Sequence, residues 1–258
     1  MSDTRDEVKR RFGPAAEKYV QSPHHSQGES LDRLIELLRP DPAWRVLDVA
    51  TGGGHTALAL ARHVREVVAT DITAPMLQAA ERFIRAQGVT NVRFQEADAG
   101  ALPFEADSFD LVTCRIAPHH FPDCAAFVRE SARVTRPGCL IAVIDNVVPE
   151  DHGADSFVNS FEKIRDPSHN RAYTEREWKE FFRAAGLSIE HAERFRKSRD
   201  YARWISMMPV EAATEKRLRE MLLHAEGQAR AYLEPEGEGD SLQFYLAEIL
   251  LIGRRAAT

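Results

Sequence analysis

Between residues 45 and 148 short apolar runs alternate with amphipathic stretches in a regular rhythm. RVLDV (45–49), EVVATDI (66–72), a segment around Val92 and Phe94, SFDLVTCRI (108–116) and CLIAVIDNVV (139–148) read as strands. The fourth is nearly continuous in apolar residues, as a central parallel strand covered on both faces should be. From Thr56 onward, Ala57, Leu58, Leu60, Ala61 and Val64 are spaced to bury one face of a helix. TAPMLQAAERFIRAQG reads as a second helix, with Thr73 as cap, Pro75 early and Gly88 at the stop. AFVRESARV is a third, closed by Pro137-Gly138. This alternation predicts an α/β fold with a doubly wound, mostly parallel sheet.

The flanks follow other patterns. Residues 5–20 read as a helix interrupted near Gly13-Pro14, and QSPHHSQGES is a polar connector. An amphipathic helix follows, with Leu31, Leu34, Ile35, Leu37 and Leu38 inward, ended by two prolines. After Val148 a short helix is expected over 155–164. TEREWKEFFRAAG then carries a capping box, Thr174 with Glu177, and stops at Gly186. LSIEHAERF reads as a strand, 198–233 as two helices, and LQFYLAEILLIGRR as a long final strand. Trp204, Met207 and Met208 form an exposed-looking apolar group. Arg194, Arg196, Lys197 and Arg199 form a local basic cluster that reads as a solvated turn.

At 258 residues the chain can bury a good core as one large domain or as a domain with a lid. Hydrophobic residues make up 43% and charged residues 29%, ordinary for a soluble enzyme. A net charge of −6 with no basic stripe argues against nucleic acid as a partner. Cys114, Cys124 and Cys139 are too few and too dispersed for a disulfide framework or a zinc site, and no metal is expected. The charged N-terminus has no apolar stretch behind it, and no run approaches the ~20 residues of a membrane span. A reduced, cytoplasmic protein is the expectation; a homodimer is compatible with it.

The stretch RVLDVATGGGHTA (45–57) concentrates the candidate chemistry. A strand running through three glycines into a helix suits an extended polar ligand, because glycines let ligand atoms approach the backbone. Free N–H groups at the helix start favour negative or lone-pair-bearing atoms. As a dinucleotide fingerprint, Gly52, Gly54 and Ala57 satisfy GxGxxG/A, with Asp71 at about the expected ~20 residues. Alternatively, Asp48, Ala50, Gly52 and Gly54 form an acid-x-G-x-G-x-G frame with alanine in the first glycine slot. Asp48 discriminates between the two, since a pyrophosphate offers no cationic end for it to answer.

That second frame resembles the signature of class I S-adenosylmethionine (SAM) dependent methyltransferases. The resemblance is nearest the ubiquinone/menaquinone-biosynthesis type and its small-molecule relatives. VLDVATGGGHTA, VVATDITAPMLQAAE, FQEADAGALPFEADSFDLVTCRIAPHHF and RVTRPG carry it, and it covers roughly residues 40–145. It implies a Rossmann-like sheet of seven strands, the last antiparallel in an edge hairpin, plus a helical lid. The chain is then one methyltransferase domain over 1–258. Residues 1–40 form a helical flap, 41–146 the SAM-binding core, and 147–258 the lid helices and hairpin.

The resemblance also implies a site, with SAM as cofactor and S-adenosylhomocysteine (SAH) as its product. Asp48, Ala50, Thr51, Gly52 and Gly54 would line the methionine end; the poor apolar face of the N-terminal helix beside a polar connector, read from the residues themselves, puts Tyr19 and the His24–His25 connector near it as a flap. Asp71 would bind the ribose, and Ile72 and Met76 the adenine. Asp98 would accept from the adenine amino group while Ala99 supplies a backbone N–H. Arg115 would sit beside the sulfonium. A methyl at Ala50 is tolerable if that residue keeps a strand-like φ.

Methyl transfer from a sulfonium needs mainly a close, aligned acceptor in a dry pocket. An oxygen or carbon acceptor that needs a base finds His119 and His120 directly after the fourth strand. His169 is a further candidate, and Asn146 or Tyr173 would orient the acceptor. With Phe157 or Phe161, the apolar lid residues point to a small, partly hydrophobic acceptor. Two alternatives stay open at this point: an NAD(P)-dependent oxidoreductase and a non-catalytic SAM-binding protein.

Overall fold

The apolar runs pair edge to edge in a computed structural model, which describes residues 4–14, 16–20 and 29–257. The elements begin with α1 (Thr4–Phe12), α2 (Ala16–Val20), α3 (Glu29–Leu38), β1 (Arg45–Val49), α4 (His55–Ala61) and β2 (Glu66–Asp71). Next come α5 (Ala74–Ala86), β3 (Val92–Glu96), β4 (Phe109–Arg115), a 3-10 turn (Pro118–His120), α6 (Cys124–Val134) and β5 (Thr135–Val148). The chain continues through α7 (His152–Arg165), β6 (Tyr173–Thr174), α8 (Glu175–Ala184) and β7 (Leu187–Asp200). It closes with α9 (Tyr201–Met207), α10 (Ala212–Leu223), α11 (Gly227–Leu233), a second 3-10 turn (Gly239–Ser241) and β8 (Gln243–Arg255).

The sheet runs β3-β2-β1-β4-β5-β8-β7, with the two-residue β6 paired to the end of β5. β1 to β5 are parallel, and β8 runs antiparallel to both its neighbours. The fold is therefore the Rossmann-like methyltransferase one, with β6 added to the seven expected strands. Side chains alternate between faces along a strand, so nearly continuous apolar runs fill both sides. Val46, Val67, Leu111 and Ile144 pack beneath α3, α4 and α5. Leu47, Val68, Val112 and Val143 pack against α6 and α8 on the other face. A third core, around Phe161, Tyr201, Trp204, Leu218 and Phe244, holds α7 and the helices between β7 and β8 together.

Several boundaries differ from the sequence reading. α6 ends at Val134, and Thr135 already pairs with Phe109. Pro137-Gly138 instead occupy a register irregularity in β5, where a residue without an N–H and a Gly138 at φ 76° suit a bulge. β7 runs on to Asp200, because its alternation continues past Phe195 with Lys197 and Arg199 inward. The stretch after it holds three helices rather than two. Thr73 takes the N-cap position of α5 without a side-chain capping bond, whereas the Thr174–Glu177 box on α8 forms both of its bonds. Among the described residues no helix is long and apolar enough to cross a membrane.

Candidate functional site

The carboxyl ends of β1, β2, β4 and β5 open into one cavity of about 580 Å³, walled also by α1, α7, α9 and the ends of β7 and β8. That volume lies in the ~300–1,000 Å³ range of small-molecule sites. Its floor is the turn after β1. Gly52 has φ 53°, nothing lies within 4 Å of where its Cβ would stand, and its amide donates to Asp71 Oδ2 at 3.1 Å. Gly54 (φ 82°) is outside the lining. A Cβ there would meet Ile84 at 2.9 Å and Ala80 at 3.1 Å, so this glycine lets α4 approach α5. Ala50 does not keep a strand-like φ: it lies at 52°, in the left-handed region where an L side chain is strained.

Three of the acids on the cavity wall, Asp48, Asp71 and Asp98, belong to this half. Asp48 accepts from the hydroxyls of Thr113 at 2.8 Å and Thr51 at 2.6 Å, tying the turn to β4. Burial pushes its pKa up to about 6, against the pull of those hydroxyls. Asp71 accepts from the Thr73 amide at 2.9 Å, and burial raises its pKa as well. Asp98 accepts from the Gly100 amide at 2.9 Å and pairs with Arg5 of α1 at 2.8 Å. Thr51, Ile72, Met76, Ala99 and Arg115 complete this half. Arg115 donates to the Thr56 hydroxyl at 3.0 Å, and burial lowers its pKa. The side chain of Tyr19, and the whole of His24 and His25, lie outside the described residues.

Beyond the third acid the cavity turns histidine-rich. The rings of His119 and His120 lie 4.2 Å apart, and those of His119 and His169 5.5 Å apart. His119 Nδ1 meets Asp145 Oδ1 at 2.6 Å, deep in the fold. A carboxylate only accepts, so Nδ1 carries the hydrogen and the neutral ring keeps its lone pair at Nε2. Burial opposes a charge on His119, yet the Asp145 carboxylate outweighs it and the pKa rises. His120, bonded through Nδ1 to the Ser168 carbonyl at 3.0 Å, is pushed down to about 3 by burial and by His119. His169 falls to about 2 for the same reasons, its Nε2 on Asn159 Oδ1 at 2.9 Å. Of the three rings, His119 alone is shifted toward keeping its proton.

The far half is built from residues distant in sequence. Asn146, Glu162, Arg165, Lys197, Arg199 and Glu248 line it, beside Trp204, Met207, Met208 and Leu246. Trp204 and Met208 are buried here, and only Met207 is exposed. The expected solvated turn at 194–199 is corrected: these residues lie on β7, where the strand period turns Lys197 and Arg199 inward and Arg194 and Arg196 outward. Lys197 and Arg199 stand 3.9 and 3.7 Å from Glu248, while Arg194 and Arg196 pair with Glu175 and Glu234. Tyr173 lies outside the lining, packed edge-on against Phe181 at 5.0 Å. Phe157 and Phe161 stay behind the wall, Phe161 stacking on Trp204 at 4.9 Å. Asp145, Glu162, Arg165 and Glu248 had no motif to announce them. Period-two alternation through 195–199 was the available sign for the inward cations.

The cavity fits SAM: a glycine cradle, an acid at each of two strand ends and an apolar wedge at Ile72 and Met76 share one wall. Fold and site together define a methyltransferase of the Rossmann-like class. The comparisons agree. The methyltransferase-domain family model matches residues 46–138. YcgJ of Bacillus subtilis, described as a methyltransferase, is 37% identical over 244 residues, 94% of this chain and 96% of that one. Its crystal structure superposes with a TM-score of 0.85 over 89% of this chain and 99% of that chain. Demethylmenaquinone methyltransferase of Thermus thermophilus is 40% identical over 128 residues, 49% of this chain and 57% of that one. The 27-O-demethylrifamycin SV methyltransferase of Amycolatopsis mediterranei is 33% identical over 168 residues, 63% of this chain and 60% of that one. The chain belongs to the SAM-dependent methyltransferase family, and the oxidoreductase reading of its glycine turn is set aside.

Proposed function

We propose that this protein methylates an oxygen or carbon of a small, partly hydrophobic metabolite. The observation that carries the reading is His119, on the wall of the cavity that also holds the acid-and-glycine turn, held from behind by the buried Asp145 at 2.6 Å. SAM, when bound, supplies a methyl group already activated on a sulfonium that departs as a neutral thioether. The chain's contribution is to align the acceptor and exclude water. In this reading Asp71 receives the ribose hydroxyls and Asp48 answers the ammonium group. Ile72 and Met76 flank the adenine, Asp98 and Ala99 meet its polar edge, and Arg115 lies at the methionine end. His119 takes the acceptor's proton at Nε2 as the methyl arrives, while Asp145 holds Nδ1–H and steadies the charged ring. His120 and His169, held neutral far below physiological pH, shape the pocket.

The apolar wall of Trp204, Met207, Met208 and Leu246 supports a partly hydrophobic acceptor, and the net charge of −6 disfavours nucleic acid. Two relatives named for demethylmenaquinone and 27-O-demethylrifamycin SV point the same way. Incubating the protein with methyl-labelled SAM and separate pools of metabolites, peptides and RNA tests the reading. Label is expected in a small molecule. In Asp71→Ala, SAH affinity should drop roughly 10- to 100-fold in a folded protein, the loss of a charged hydrogen-bond acceptor. Label confined to peptide or RNA overturns the small-molecule reading.

A further inference from the structure

We propose that the acceptor carries an anionic oxygen group, a carboxylate above all, and that Arg165 reads it; this rests on the small-molecule methyltransferase reading above. Arg165 ends α7 on the cavity wall, its guanidinium 4.2 Å from the centre of the Trp204 ring. Trp204 is itself stacked on Phe161 at an interplanar angle of 8°. An aromatic face thus positions the cation without using its N–H groups. Arg165 Nε and Nη1 are buried and hydrogen-bonded to nothing among the described residues.

Among the described residues, no neighbouring carboxylate hydrogen-bonds Nε or Nη1 of Arg165. Glu248 accepts from the Ser30 hydroxyl at 3.0 Å and faces Lys197 and Arg199. Asp166 accepts from the amide and hydroxyl of Ser168, at 3.0 and 2.6 Å, stands 3.8 Å from Arg11, and attracts Arg165 through space without bonding it. Asp200 caps α9 through the Arg203 amide at 2.7 Å. Glu162 lies one turn before Arg165 on α7 and attracts it through space, yet Glu162 Oε1 also lacks a hydrogen bond, as does Asn146 Oδ1.

A buried charged donor without an acceptor costs more than a neutral one, and a ligand oxygen removes that cost. The two orphaned acceptors on the same wall suit ligand hydroxyls, and Trp204 with Met208 suits an apolar ring. The chemistry that satisfies all of them at once is a flat hydroxy acid. Its anionic group meets Arg165, its hydroxyls meet Glu162 and Asn146, and one reactive position faces His119.

The test uses methyl-tritiated SAM with a panel of hydroxybenzoic and hydroxynaphthoic acids, each paired with its carboxamide. We expect an acid to be labelled with kcat/KM roughly 10- to 100-fold above its amide. Arg165→Leu should bring that ratio near one, chiefly by raising KM for the acid. Arg165→Lys, which keeps the charge, should retain the preference for acids. Amides labelled as well as acids, label in neither series, or an unchanged ratio in Arg165→Leu overturns the assignment. SAH binding by calorimetry in the same preparations reports separately on the cofactor site. Its absence defeats the methyltransferase reading, whereas SAH binding with an overturned ratio defeats the charge assignment alone.

Discussion

Burial ordinarily strips the charge from a histidine, and His120 and His169 follow that rule while His119 does not. The difference is the carboxylate of Asp145 at 2.6 Å. A base works in its neutral form, so methyl transfer should rise with pH through the His119 pKa, with its acid limb above that of an ordinary histidine. Replacing Asp145 by Asn removes the charge that retains the proton, so the limb should move to lower pH. His119→Ala should abolish the limb and lower kcat about 10²- to 10⁴-fold. The readout is kcat against pH with any acceptor that is turned over, and an unchanged limb in His119→Ala would remove this residue from the chemistry. Ala50 supplies a second prediction. Its φ of 52° costs an alanine more than a glycine, so Ala50→Gly should stabilise the fold by about 1 kcal/mol. Thermal unfolding should show a Tm roughly 2–4 °C higher.

Elements differ in how firmly they are held. α1 reaches the cavity through the Arg5–Asp98 pair, a 3.8 Å contact of Lys9 with Glu96 and the edge of Phe12 against His120 at 5.1 Å. Among the described residues a small apolar cluster lies beneath it, Ala16, Met76 and Ala79 with Phe12 and Val20, and Arg11 reaches Asp166 at 3.8 Å. An element so thinly packed opens at low free-energy cost. Its Asp98 partner is also the acid assigned to the adenine, so α1 and the ligand meet at one carboxylate. Amide hydrogen exchange over residues 4–20 should therefore slow when SAH binds, and equal exchange with and without SAH would show that α1 is no flap. α8 is anchored in the opposite way, with its full capping box and with Trp178 and Phe182 completely buried. β7 illustrates how one element carries two environments. The period of two sends its cations alternately to the cavity and to surface acids.

Across the whole molecule, the cavity joins a half written contiguously in the chain to a half assembled from afar. The parallel strands, their order of appearance, the glycine turn and the acids at strand ends were legible in the sequence. Each depends on a local period or on a backbone conformation that only certain residues tolerate. Asp48, Asp71 and Asp98 reach one wall because all three lie at or just past the carboxyl ends of parallel strands, which share an edge of the sheet. What tertiary structure alone decided is the company each side chain keeps. Arg115 is paired with Ile144, which brings Asp145 of β5 beside the histidines that follow β4. Asn146 lies opposite Glu248 because β8 runs antiparallel to β5 in that register. Arg165 rests on Trp204 because α7 and α9 share a core. The left-handed conformation at Ala50 was imposed by the turn on a residue that does not favour it. Such meetings follow from strand register and helix packing between distant segments, and the local pattern of apolar and polar residues encodes neither.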